Sequence, residues 1–175
     1  MTEKPPTAAM TWLMARTEGS ARLWKTEPGE MAAALPWMRA TVTHLVALHG
    51  GILSAGRAGC DSFAATFGRA SDAVACALYL QLAGLDPFAL CIGVHSGDTG
   101  AVLLRDIAHG GQTLIAGTTA TSAADRLPSK TTLKCLGSHR TADPQRQEPL
   151  LQLCHPGLPR PLYVPNAVLA EHLVN

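Results

Sequence analysis

Trp12-Leu13-Met14-Ala15-Arg16-Thr17-Glu18-Gly19-Ser20-Ala21-Arg22-Leu23-Trp24 is the stretch on which the reading of this 175-residue chain turns. Trp12 to Ala15 reads as a short first strand, and Arg16 then puts a cation at its end. A polar Glu-Gly-Ser step follows before apolar residues resume. Upstream, residues 1–10 carry Glu3, Lys4 and the Pro5-Pro6 pair instead of an apolar run, so they read as a disordered tail and not a leader.

Apolar residues make up 47% of the chain and charged residues 15%, which suits one globular domain with a core of its own. The formal net charge is +1, and Arg and Lys are scattered. No basic stripe is present to neutralise a phosphate backbone, so nucleic acid is not an expected partner. No segment reaches the ~18 uninterrupted apolar residues of a membrane span, and a cytoplasmic protein is expected. Five cysteines (Cys60, Cys76, Cys91, Cys135, Cys154) are odd in number and widely spaced, as reduced core residues would be. Cys154-His155 is the one adjacent Cys/His pair, and no second pair stands at zinc-site spacing. No structural metal is expected.

Periodicity places the elements. From Pro28-Gly29, the residues Met31, Leu35, Met38, Val42, Leu45 and His49 step along one helical face. Pro36 interrupts that pattern at a cost of ~3 kcal/mol, which predicts a kink or a break. Gly50-Gly51 should end the helix. Strands are expected over Ile52–Ala55 and Ser62–Phe67, then a helix over Ser71–Leu82. Phe88–His95 is apolar on both faces, as in a central strand covered on two sides. A short helix ending at Gly110-Gly111, a strand over Thr113–Ala116, a helix over Thr118–Leu127 and strands at Leu133–Leu136 and Leu150–Leu153 complete the core. His49 and His109 each precede a Gly-Gly pair, which reads as turn chemistry. The order β-α-β-β-α-β predicts an α+β, ferredoxin-like core with additions, over residues 11–155. Residues 156–175 read as a Pro-rich extension whose apolar end, Ala167–Val174, could pack as a helix or dock on a partner.

Six blocks in order resemble one family. Trp12 to Trp24 is similar to the F-T-D-I-E-G-S-T-x-L-W opening of class III adenylyl/guanylyl cyclase domains. Leu48-His-Gly-Gly-Ile-Leu, Ser62-Phe-Ala-Ala-Thr-Phe and Gly93-Val-His-Ser-Gly resemble later family blocks. So do Arg105-Asp-Ile-Ala-His-Gly-Gly-Gln-Thr-Leu-Ile and the pair Leu136-Gly-Ser-His-Arg and Gln152-Leu-Cys-His-Pro-Gly-Leu-Pro. The resemblance spans roughly residues 11–159 and implies the nucleotide cyclase fold.

The same resemblance argues against cyclase chemistry. In the family two Asp side chains hold two metal ions on the triphosphate. The first falls on Arg16, which has the wrong charge: a unit pair at 4 Å is worth ~4 kcal/mol at an effective dielectric of 20, and a divalent ion doubles the repulsion. The second falls on Asp61, which is retained behind Cys60. The base-reading Lys falls on Arg57, which keeps charge but not geometry. The transition-state Asn and Arg fall on Thr99 and Leu103, and the triphosphate Lys on Ala142. Only residues 98–108 join Gly97 to His109, too few for the family's strand, base-reading Asp and helix together. The fold is therefore expected to be shortened between the fourth strand and the next helix. Arg105 stands two positions from the expected transition-state Arg.

Both halves of a shared site are thus degraded, so a competent partner is not expected to restore activity. The resemblance implies a degenerate cyclase-like domain acting as a dimeric regulatory module, as a homodimer or beside another cyclase-like domain, with no cofactor. One alternative is a weak cyclase forming cAMP or cGMP from ATP or GTP with Mg²⁺ or Mn²⁺, Asp61 being its vestigial metal ligand. Another is a sensor that binds nucleotide through Arg16, Arg57 and Arg105 without turnover. Arg16 is expected either to pair with Asp61, filling the space of the lost ion, or to point into water. His95 and His139 are expected to be hydrogen-bonded structural residues.

Overall fold

The residues that alternate between two sides of the first strand also divide the molecule into its two packed layers. In a computed structural model, residues 10–54, 61–97, 100–140, 147–158 and 173–174 are described. Strand β1 (Thr11–Thr17) alternates strictly between buried and half-buried positions, with Leu13 and Ala15 inward. It is followed by α1 (Ser20–Thr26), α2 (Pro28–Leu48), β2 (Ile52–Leu53), β3 (Phe63–Phe67), α3 (Ala70–Leu82) and β4 (Leu90–Ser96). Next come α4 (Gly100–Ile107), β5 (Thr113–Ala116), α5 (Gly117–Ala123) running into a 3-10 turn (Ala124–Arg126), β6 (Thr132–Arg140), β7 (Gln147–Cys154) and β8 (Leu173–Val174).

One sheet holds all eight strands in the order β2-β3-β1-β4-β5-β7-β6-β8. The first four are antiparallel neighbours, with β1 between β3 and β4. With α2 and α3 they form the expected ferredoxin-like unit. Strand β5 joins β4 in parallel through α4, and β7, β6 and β8 extend the sheet antiparallel. Only residues 97–99 separate β4 from α4, the shortening expected from the sequence.

Helices α2 and α3 cover one face. The α2 stripe is Met31, Leu35, Met38, Val42 and Val46, so the buried face swings to Val46 where Leu45 was expected. The helix continues through Pro36 without a break. Ala32 and Pro36 are both exposed, so the carbonyl that loses its partner lies where water can reach it. The stripe on either side of the ring keeps its core contacts. On the opposite face α4 packs Leu104 and Ile107 with Cys91, Leu114 and Leu150. Cover on both sides explains why β4 is buried from Leu90 through Val94.

The structure adds to the sequence reading in three places. Helix α1 had no counterpart in the sequence reading. The helix before Gly110-Gly111 ends at Ile107, not at the glycines. At the C-terminal end, Leu173 and Val174 pair as strand residues with β6, while the rest of Ala167–Val174, for which helix or docking was left open, lies outside the described residues. Leu158, inside the expected extension, belongs to the main core cluster. Among the described residues, no helix is long and apolar enough to cross a membrane.

Candidate functional site

Antiparallel register carries Asp61 to the end of β1. Ala15 lies opposite Phe63, so two residues further on Thr17 meets Asp61, and its Oγ1 donates to the Asp61 carbonyl at 3.4 Å. The start of α1 then brings Ser20, whose Oγ donates to Asp61 Oδ2. Asp61 is buried, with 8% of its surface exposed.

From the other face, α4 delivers Arg105 and Asp106. Its close approach depends on Gly93 in β4: a Cβ there would stand 2.5 Å from the Arg105 backbone nitrogen. Any larger residue would hold the helix away from the sheet.

Arg16 meets this helix end. Its Nη2 donates to the Asp106 carbonyl at 3.2 Å and its Nε lies 3.8 Å from Asp106 Oδ1. Arg105 reaches the same oxygen with Nη2 at 2.9 Å and Nε at 3.0 Å. One carboxylate oxygen therefore faces two guanidiniums. A cation at the last turn of a helix also meets unpaired carbonyls and the negative end of the helix dipole. This overturns the expected Arg16–Asp61 pair and also the alternative of Arg16 pointing free into water. Asp61 is engaged by Ser20, and the alternation of β1 sends Arg16 to the face that carries α4.

Arg16, Arg22, Arg105, Ser20, Asp61 and Ser62 line a cavity of about 590 Å³. Among the described lining residues there are three guanidiniums and one carboxylate. Three residues singled out from the sequence, Arg16, Asp61 and Arg105, thus converge there. Leu103 does not: it sits on the solvent side of α4, 40% exposed. Arg57, Thr99 and Ala142 lie outside the described residues. The sequence reading assigned no role to Arg22, Ser20 or Asp106. Ser20 and Arg22 stood in the opening block and Asp106 beside Arg105, but nothing local says that these segments meet.

The remaining candidates do not line this cavity. Cys91, opposite Arg16 in the register, has its thiol pushed up to about 11 by burial, and burial takes Cys76 to about 12. Neither is a ready nucleophile. His95 Nε2 lies 3.6 Å from Glu148 Oε2, and Glu148 Oε1 accepts from the Thr118 backbone N–H at 2.7 Å. The His95 Nδ1 atom is buried without a hydrogen-bond partner among the described residues. His49 Nδ1 bonds the Leu45 carbonyl at 2.8 Å at the end of α2, where Gly50 takes a positive φ. That is turn chemistry, as expected. The His139 side chain lies outside the described residues.

No protein-family model matches the chain. It is 40% identical over 167 residues to the "Uncharacterized protein Rv0891c" of Mycobacterium tuberculosis, an alignment covering 88% of this chain and 59% of that protein. The chain thus spans less than two thirds of the curated relatives it matches. Among solved structures, an adenylate cyclase from Trypanosoma brucei aligns with a TM-score of 0.72 at 19% identity, over 93% of this chain and 95% of that one. An adenylate/guanylate cyclase/hydrolase from Silicibacter pomeroyi aligns with a TM-score of 0.69 at 20% identity, over 84% and 96%. The strand order, the two helical layers and these alignments agree: the chain has the fold of the class III adenylyl/guanylyl cyclase catalytic domains.

Proposed function

We propose that this chain is a catalytically degenerate cyclase-like domain, working in the cytoplasm as a regulatory module that pairs with a second copy or with another cyclase-like domain. The supporting observation is the sign of the charge at the end of β1. Arg16 stands at the position of the family's first metal-binding Asp and is held against α4 by Asp106. The donor set does not fit two divalent ions. Asp61 is the one carboxylate among the described lining residues, its Oδ2 already accepts from Ser20, and three guanidiniums share the cavity. No catalytic step is therefore derived through a metal, and no cofactor is required by this reading. The test is direct: incubated with Mn²⁺ and ATP or GTP, the pure protein yields no cyclic nucleotide above buffer. Product that disappears in Asp61→Ala would make it a weak cyclase and overturn the proposal.

A second reading has its own support. Three guanidiniums facing about 590 Å³ suit phosphate oxygens, which a planar fork of N–H donors binds well. In this reading the domain senses a nucleotide without turning it over. Calorimetry with ATP, GTP and the cyclic nucleotides is expected to show heat of binding for at least one triphosphate. No heat with any of them removes the reading.

A further inference from the structure

We infer that the cavity takes a phosphoanhydride chain without a divalent cation, and that Asp106 is a built-in competitor for the guanidiniums that grip it. This rests on the sensing reading above and deepens it by naming the ligand chemistry and the group that opposes it.

The geometry around Asp106 carries the inference. Three contacts from two arginines, at 2.9, 3.0 and 3.8 Å, converge on one oxygen, Oδ1. The Arg105 fork thus closes on a single atom, whereas a bidentate pair would use two parallel bonds and hold more tightly. The Asp106 side chain is 51% exposed, while those of Arg16 and Arg105 are 33% and 23% exposed. The carboxylate can therefore swing into water at little cost, and doing so frees the Arg105 fork, whose contacts both run to Asp106 Oδ1. Arg16 keeps its bond to the Asp106 backbone carbonyl, which does not depend on the side chain. A phosphate group brings three oxygens to the point where Asp106 brings one, and so can accept from Arg16 and Arg105 together. Arg22, an exposed residue that also lines the cavity, can meet the next phosphate along the chain.

Divalent cations act against such binding. A magnesium ion on the phosphates neutralises the oxygens the guanidiniums need, and it would enter a cavity whose described lining carries three positive charges and one negative. In a metal-dependent site the ion strengthens nucleotide binding. Here it should weaken it.

The experiment titrates ATP and inorganic tripolyphosphate into the wild-type chain and into Asp106→Asn, Arg105→Ala and Arg22→Ala, in EDTA and then in excess Mg²⁺. Expected are ATP binding in EDTA, weaker binding with Mg²⁺, and displacement of ATP by tripolyphosphate. Asp106→Asn should bind about threefold tighter, the scale of an exposed ion pair. Arg105→Ala should bind about tenfold weaker, as for a lost hydrogen bond to a charged group. ATP binding that needs Mg²⁺, that is unmoved by Asp106→Asn, or that tripolyphosphate fails to displace leaves the sensing reading standing and overturns this inference. No binding in either buffer removes both. Should Arg105→Ala fail to fold by thermal melt, the Asp106→Asn and Mg²⁺ arms decide the matter alone.

Discussion

Beneath α2 and α3 the sheet buries Leu13, Met31, Met38, Val42, Phe67 and Leu78 in one continuous apolar layer. Across the sheet, among the described residues, α4 covers β4 and β5 with a smaller cluster, and charged side chains crowd the end of β1 beside it. The first layer repeats a simple rule of alternation and helical period. The second depends on four segments arriving at one place: the end of β1, the start of α1, the two residues before β3 and the last turn of α4. Apolar burial therefore concentrates on the first face and charged side chains on the second.

The sharpest way to break that division is to empty the larger core. Leu78→Ala, at a position 1% exposed, is expected to cost about 2–5 kcal/mol in chemical denaturation while leaving anion binding by the folded protein unchanged. Loss of binding in a folded Leu78→Ala would mean that the two faces are coupled.

Alkali probes both faces at once, because one buried thiol lies in each. Both are raised above the ordinary value of 9.0, Cys76 to about 12 and Cys91 to about 11. Below pH 9 both states hold the thiol proton. Above it the unfolded chain loses protons that the folded chain keeps, so stability falls as pH rises toward 11 and 12. Between about pH 8 and about pH 10 the loss should be on the order of 2 kcal/mol, and Cys76→Ala and Cys91→Ala should each flatten part of that slope. An equal slope in the double variant would contradict the burial of these thiols.

Gly93→Val sharpens the comparison from the second face. Its side chain pushes into the first turns of α4, costs about 1–3 kcal/mol and moves Arg105 off the cavity. Anion binding should be lost in protein that still melts cooperatively. Smallest of all is Asp106→Asn on stability. As an exposed partner in an ion pair it should shift the denaturation free energy by less than about 1 kcal/mol, so its effect on binding can be read without a folding correction.

Several parts of the fold are legible in residue order. β5 falls on Thr113–Ala116 as expected, the apolar run at β4 is a doubly covered strand, and α3 begins one residue from its expected start. These elements are long in their pattern or buried on both sides, so local residue order carries their signal. Helix α1 escaped notice because seven residues without a side-chain cap or a buried position leave no periodic trace. Pro36 misled because propensity speaks for the isolated helix, whereas packing on both sides of the ring carried α2 through. At the cavity, Arg16, Asp61 and Arg105 were picked out by likeness to family motifs, yet their partners were not. Arg16 and Asp106 are 90 residues apart, and no local pattern spans that separation.

Hydrophobic period by itself announced an α+β chain, and likeness to family motifs pointed to the cyclase-type fold and singled out Arg16, because both are properties of neighbours along the chain. Which acid that guanidinium meets was settled by packing: Gly93 lets α4 lie close on β4, and the close approach hands Asp106, not Asp61, to Arg16. Ion pairing depends on distances of a few ångströms between remote segments, and only the assembled sheet and its helices set those distances.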